Sequence, residues 1–293
     1  AHLRFDTQDY TPVITYVNGE YWGLLNLRER YDEHYIERKY GIQESELELL
    51  EGNASVKIGG NEHYKMMQTF LSGKNMSITA NYNYVKTLMD IENFIDYQIS
   101  EIYARNTDWP GNNIDYFRKK TEKYEPDAPY GQDGRWRWLM FDTDHGFGWS
   151  GKNSFTHNSL QNASKSNNWA TLILSELLKN PNFRNDFINR YADLLNTTFM
   201  PGRLVALIYE MAGNIAEEIP LHRERWNTLH DWEDNVEHMC QFAEKRPEYA
   251  RRHIMEKFSI GRTITASLNV SDPEHGFVRI NTIDINETTP GVP

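Results

Sequence analysis

Across residues 90–105 the apolar side chains Ile91, Phe94, Ile95, Ile99, Ile102 and Tyr103 recur at steps of three and four, the period of a helix with one apolar face. Asp90 can cap its first turn. The stretch that follows constrains the chain most. The helix has to stop at Asn106, because Asn106-Thr107-Asp108-Trp109-Pro110-Gly111-Asn112-Asn113 is rich in turn-forming residues. A short strand is expected at residues 114–118, then a long polar excursion punctuated by Pro126, Pro129, Gly131 and Gly134. Residues 135–141 carry apolar side chains at every second position and read as a second strand. That strand runs directly into Asp142-Thr143-Asp144-His145-Gly146-Phe147-Gly148. A helix and two strands thus deliver two polar loops, which requires a mixed α+β fold.

The flanking segments extend this pattern. Residues 12–29 read as a hairpin: Val13, Thr15 and Val17 alternate, Asn18-Gly19 signals a type I′ turn, and residues 21–27 return. A short helix is expected at residues 32–40, closed by Gly41. Residues 47–57 hold one further strand before Gly59-Gly60, and residues 64–71 a short amphipathic helix. Residues 148–168 read as a loop. Helices follow at 170–179, 182–196, 201–217 and 232–258, the last interrupted near Pro247. Residues 262–293 alternate at 263–270 and again at 278–281, a β-like tail. No internal repeat is present.

A chain of 293 residues can bury a full-sized core. Its 13% aromatic content, with 8 Trp and 17 Tyr, is that of a folded protein with an aromatic-rich surface. The net charge of -11 argues against nucleic acid and membrane surfaces as partners, since both are held by clustered Lys and Arg. No apolar run reaches the length of a membrane span and no segment reads as a signal peptide; the first residue, Ala1, suggests a processed or trimmed piece. A single cysteine, Cys240, leaves no partner for a disulfide and reads as a buried structural thiol. His222, His230 and His238 recur at eight-residue steps, which rotates them off a common helix face and disfavours a metal site.

The chemistry lies in the two polar loops. Asp108 is followed five residues later by Asn113, and Asp142 stands at the end of an apolar strand beside glycines. That spacing, and the order of helix, loop, strand, strand and acidic loop, match the phosphoryl-transfer centre of kinases. In such a centre Asp108 would accept or orient the proton of the attacking hydroxyl. Asn113 would offer an amide oxygen to a metal, and Asp142 would bridge metal and phosphates. Asp144, two residues on in an extended segment, would face the same side and hold a second ion. Lys57, beside Gly59-Gly60, would approach a phosphate, or else is a surface lysine near a loop. Glu29 leaves the sheet at the end of the returning hairpin strand, as a cofactor contact or as half of a surface salt bridge. Each string also has a plain reading: the first is a good turn, and the second lacks the terminal Glu of a calcium loop. Asp142 and Asp144 as a glycosidase pair suit an aromatic-rich surface, while nucleophilic serine chemistry lacks its Gly-x-Ser-x-Gly elbow.

The motifs Asn18-Gly19-Glu20-Tyr21-Trp22-Gly23 with Glu29 after them, residues 106–113, and residues 138–148 together resemble the spore-coat protein H (CotH) kinase family. Asn180-Pro181-Asn182-Phe183-Arg184 with Arg190-Tyr191 does so too, and the resemblance covers residues 12–258. It implies an atypical protein-kinase-like fold that uses ATP and a divalent metal, Mg²⁺ or Mn²⁺, to phosphorylate Ser or Thr of coat, surface or secreted proteins. Position by position, Asp108 matches the catalytic aspartate, Asn113 and Asp142 the metal ligands, and Asp144 the second acidic position. In the family the strand with the ATP-binding lysine precedes the Asn-Gly turn. Here residues 1–17 contain no lysine, so the expectation is an amino-terminal lobe cut short.

The expected architecture is therefore α+β: a kinase-like unit over residues 1–260 with a truncated amino-terminal lobe and a mostly helical carboxy-terminal lobe, then a β-like tail over 261–293. The expected place is the cell envelope, the surface or outside the cell. The rival expectation is a catalytically inactive surface adhesion or assembly module that keeps the fold and binds protein or glycan.

Overall fold

The helix that opens the polar loops lies against a five-stranded sheet in the computed structural model, which describes residues 3–166, 168–268, 276–286 and 289. In chain order the amino-terminal part runs β1 (Asp6–Thr7), β2 (Tyr10–Val17), β3 (Glu20–Arg28), α1 (Glu33–Tyr40), β4 (Leu47–Glu51), β5 (Ser55–Ile58), α2 (Glu62–Gly73), α3 (Thr79–Val85) and α4 (Ile91–Ala104). The two polar loops are threaded by β6 (Asp115–Lys119) and β7 (Arg137–Met140). Helices α5 (Ser159–Ala163), α6 (Trp169–Leu177), α7 (Pro181–Leu195), α8 (Pro201–Gly213), α9 (Ile219–Trp226) and α10 (Trp232–Phe258) follow, and then β8 (Val278–Ile280) and β9 (Ile283–Ile285).

The central sheet has the order β1-β7-β6-β4-β5, antiparallel except where β1 joins β7. Alternation along the strands sends successive residues to opposite faces. Leu50, Tyr116, Trp136 and Trp138 pack into the large core with α2, α4 and the later helices, whereas Leu47, Leu49, Phe117 and Leu139 meet Tyr31, Tyr35 and Ile36 of the α1 region. Both faces are covered, so β7 is buried throughout and β6 is buried except at Lys119.

Helix α4 is the axis of the molecule. All of its residues except Glu92 and Ser100 are buried, including Asn93, Asp96, Gln98 and Glu101. Asp90 caps it through the N–H groups of Glu92 and Asn93. Asn93 bridges to β7 by accepting from Trp138 N at 2.7 Å and donating to its carbonyl at 3.1 Å. Asp96 receives both arms of the buried Arg190 from α7, at 2.6 and 2.7 Å. At the far end the carbonyls of Ile102 and Tyr103, which have no partner within the helix, accept from the guanidinium of Arg246 at 2.7 and 2.9 Å. The same guanidinium bonds the carbonyls of Phe155 and His157. A buried cation is thereby spent on fixing where α4 ends and the first polar loop begins.

Several elements depart from the sequence expectation. Residues 47–57 form two strands rather than one, because Gly52 and Ala54 take positive φ and reverse the chain. The hydroxyl of Tyr116 pins that turn, donating to Gly52 O and accepting from Ala54 N. Helix α3 was not foreseen, and the expected loop at 148–168 holds a 3-10 turn (Ser154–Thr156) and the five-residue α5; elements this short carry too few apolar repeats to show a period. The expected helix 201–217 ends at Gly213, and a separate α9 follows. Pro247 does not interrupt α10: Arg246, Pro247 and Ala250 are buried against the core, and that packing carries the helix across the lost backbone bond. Residues 263–268 form no strand, and Asn269 and Val270 lie outside the described residues. Among the described residues of the tail, 278–280 form a strand where alternation at 278–281 was expected, and it pairs with 283–285. That small hairpin docks on α7, where Asp193 accepts from Thr282 N and from Asn281 Nδ2, each at 2.9 Å.

Candidate active site

The two polar loops meet. Arg105, in the left-handed region, ends α4, and Thr107 N then donates to His145 O at 3.3 Å while Phe147 N donates to Ala104 O at 2.9 Å. Gly146 is required here, since a Cβ would stand 3.0 Å from Thr143 O and 3.2 Å from Ala104 O. Interlocked backbones therefore set the distance between the side chains of the two loops before any side-chain contact is made.

Asp108 has its N–H held by Asn106 Oδ1 at 3.2 Å, and its Oδ1 lies 3.0 Å from His145 Nδ1. Its side chain is 36% exposed, so the carboxylate can still reach a solute. The His145 ring is stacked on Trp149, with centroids 5.0 Å apart and planes 11° from parallel. Asn113 and Asp142 both adopt positive φ, at 55° and 51°, a region that short polar side chains tolerate best. Asn113 Nδ2 donates to Asp142 Oδ2 at 3.1 Å, joining the end of the first loop to the start of the second.

Asn113 thus touches Asp142, and Asp108 is tied to the second loop through His145. Asp144 is exposed in the same loop, but not by extension of a strand: Asp142 is left-handed and Gly146 N bonds Thr143 O, so the segment turns. Asp142 and Asp144 both line a cleft of about 730 Å³, whose other walls include Arg28 of the hairpin, Lys152 and Trp149 after the second loop, and Met211 of α8. Among the described residues neither Arg28 nor Lys152 makes an ion pair. Asn26 and Tyr10 belong to the same wall, so the β2–β3 hairpin closes the cleft over the acidic loop.

The other two residues singled out from the sequence are engaged outside that cleft. Lys57 Nζ pairs with Asp115 at 2.6 Å and with Glu51 at 3.4 Å, and it lies 5.9 Å from the centre of the Phe141 ring, beside Asp142 in sequence. Burial raises the pKa of Asp115, and Lys57 is the influence that opposes it. Glu29 accepts from Asp9 N at 3.1 Å and pairs with Arg38, which holds the end of the hairpin against α1; its pKa is lowered, first by the Asp9 N–H and then by Arg38.

Sequence reasoning missed four side chains of this region. His145 lay inside a quoted motif but was given no role. Arg28 adjoins Glu29, and strand alternation would have sent the two to opposite faces. Lys152 and Trp149 sit in a stretch without period, where no local pattern distinguishes them. Cys240 is a buried free thiol on α10, and burial raises its pKa.

Among the described residues no helix is long and apolar enough to cross a membrane, and no three His, Cys, Asp or Glu side chains are grouped so as to hold a metal ion by themselves. A family model described as CotH kinase protein matches residues 1–250 of the chain. No curated protein matches it.

Proposed function

The chain belongs to the CotH kinase family, and on that premise we propose that it transfers the γ-phosphoryl group of ATP to Ser or Thr hydroxyls of a secreted or surface protein. The observation that carries this reading is that Asp108, through His145, and Asn113, through Asp142, are both joined to the acidic loop that lines the cleft. The kinase-like unit spans residues 1–260, and residues 261–293 are an appended tail. A place at the cell envelope, the surface or outside the cell suits a family associated with spore coats.

Asn113, whose Nδ2 donates to Asp142, would offer its amide oxygen, Asp142 a charged oxygen, and Asp144 a further carboxylate in the same loop. That set suits Mg²⁺ or Mn²⁺, which take one or two protein ligands and complete their shell with water and phosphate oxygens. When bound, the ion neutralises charge on the transferring phosphate. Asp108 then takes the proton of the attacking hydroxyl. His145 holds one of its oxygens, leaving the other to face the substrate. Arg28 and Lys152 offer cations to the phosphates from two walls of the cleft. Lys57, expected from its glycine neighbours to approach a phosphate, acts instead through Phe141 on the strand end that carries Asp142. Glu29 acts on the cofactor by fixing the strand end that carries Arg28.

The test is transfer of label from γ-labelled ATP to casein with Mg²⁺ or Mn²⁺. The wild-type chain is expected to label the protein, and Asp108→Asn to lower the rate by about 10²–10⁴-fold without loss of fold, because the residue is half exposed. Asp142→Ala is expected to lose transfer and to weaken the dependence on metal concentration. Undiminished labelling by either variant would overturn the assignment.

A further inference from the structure

The core contains a carboxyl group with no ion-pair partner among the described residues. Glu101, on the last turn of α4, has 1% of its surface exposed, and neither of its oxygens has a hydrogen-bond partner. Three other buried polar atoms nearby in the fold are in the same condition: Tyr97 Oη, Asn106 Nδ2 and Trp109 Nε1. Tyr97 is one turn before Glu101 on the same face of the helix, and the other two belong to the loop that carries Asp108. Two groups from the helix and two from the loop therefore form a buried polar cluster, joined to Asp108 by the bond from its N–H to Asn106 Oδ1.

We propose that Glu101 is the positioning residue of Asp108: as a neutral acid it engages the Asn106 amide, whose oxygen in turn holds the N–H of Asp108. A carboxylic acid and a primary amide are complementary, since each presents one donor beside one acceptor. Asn106 Oδ1 has two lone pairs; one receives Asp108 N at 3.2 Å and the second is open to the acid O–H. The amide N–H, which has no other partner, is then available to the acid carbonyl.

The surroundings keep the acid neutral. Burial pushes Glu101 up to about 8, and the Asn106 amide is the influence that opposes the rise. The titratable groups around the cluster are the phenols of Tyr97 and, from α2, Tyr64, together with Asp115 from β6, all of which interact at Tyr97. None is a cation. Arg105, the next charged residue along the chain, bonds Ser150 instead. Ionisation would make Glu101 an acceptor only, breaking its bond to the Asn106 oxygen and placing a buried negative charge in the cluster. The loop then shifts, and transfer declines as pH rises through the titration of Glu101.

This inference rests on the reading of Asp108 as the catalytic base, and two readouts separate the two. The first is label transfer to casein from ATP and Mg²⁺ between about pH 6 and about pH 10. Glu101→Gln, which keeps a donor and an acceptor, is expected to stay within about threefold of wild-type kcat at neutral pH and to lose the alkaline decline near pH 8. Glu101→Leu is expected to lower kcat by about tenfold or more with KM for ATP unchanged. Asn106→Ala reads the same link from the loop side if the Leu variant does not fold. The second readout is amide hydrogen exchange of the peptide spanning residues 105–113, corrected for the intrinsic effect of pH. Wild-type protein is expected to lose protection above about pH 8 and Glu101→Gln to keep it. A Gln variant as impaired as Leu, or an alkaline limb and loss of protection that Gln leaves in place, overturns the proposal. Absent label transfer with the expected exchange pattern overturns the kinase reading and leaves the positioning link standing.

Discussion

The strands that carry the two polar loops and the hairpin that covers them are built in opposite ways. β6 and β7 lie between two hydrophobic layers, and the helix beside them is tied down by a buried ion pair and by a guanidinium bonded to four carbonyls. The β2–β3 hairpin pairs only with itself in its sheet and leaves Ile14, Leu25 and Leu27 at 48%, 51% and 69% exposure. It is held mainly through α9. Leu24 N donates to His222 Nδ1 at 2.9 Å, Trp226 Nε1 donates to Trp22 O at 2.6 Å, and the two indoles meet edge to face at 5.0 Å. The difference separates two properties. The acidic side chains inherit the rigidity of the core, whereas closure of the cleft rests on a few contacts that can open without unfolding the body.

The largest effect that would test this division is expected in the core. Asp96→Ala leaves the guanidinium of Arg190 buried without its carboxylate, which costs about 3–5 kcal/mol. Thermal unfolding should fall by about 10 °C, with the surviving folded protein retaining the wild-type KM for ATP. A melting temperature unchanged by Asp96→Ala would show that α4 is not the axis of stability that its burial implies.

A second measurement sharpens the same side of the comparison. His63 Nδ1 accepts from Trp136 Nε1 at 3.0 Å at the edge of the core, and burial, with Arg118 second, pushes its pKa down to about 4. The folded state thus favours the neutral imidazole. Its contribution is full above the ordinary histidine pKa of 6.5 and is lost as pH falls through about 4. After allowance for its partial exposure, the loss is about 2 kcal/mol. In urea titrations at a series of pH values, His63→Gln should flatten part of that acid decline. His253, also held down to about 4, contributes to the same decline. If the variant declines as steeply as wild type, His63 is not one of the groups that titrate on unfolding.

What the sequence disclosed follows the same division. Helix α4 was legible because six apolar residues keep its period over four turns, and the Asp108 loop because turn residues cannot continue a helix. The hairpin was legible from Asn18-Gly19, whose positive φ values of 52° and 85° the turn demands. The contact between Asn113 and Asp142 was implied by motif spacing, but the bond between Asp108 and His145 was not. It depends on a turn at residues 143–146 where an extended segment was expected. Glu101 was hidden for a similar reason: a glutamate within a helix gives no local sign of whether it faces solvent or the interior. The partners of Lys57 were hidden as well, because they come from β6 and from a strand reversal that a single expected strand at residues 47–57 did not contain. Long-range placement, which no local period encodes, decided each of these.

The smallest expected effect bears most directly on the hairpin. Gly23 has φ 127°, and a Cβ there would stand 2.8 Å from His222 and 3.0 Å from Trp226, so strand β3 lies as close to α9 as a backbone can. Trp226→Ala removes the indole that faces this contact, a change worth about 1 kcal/mol to hairpin docking beyond its area burial. The indole is itself partly exposed, so global unfolding should move by only about 2–4 °C. The cleft should respond more strongly. Tyr10, Asn26 and Arg28 reach it from the hairpin, so KM for ATP is expected to rise by about fivefold while kcat changes little. A fall in melting temperature as large as that of Asp96→Ala would merge the hairpin with the core as one cooperative unit. A fall in kcat at unchanged KM would mean instead that the hairpin aligns the reacting groups rather than closing over the nucleotide.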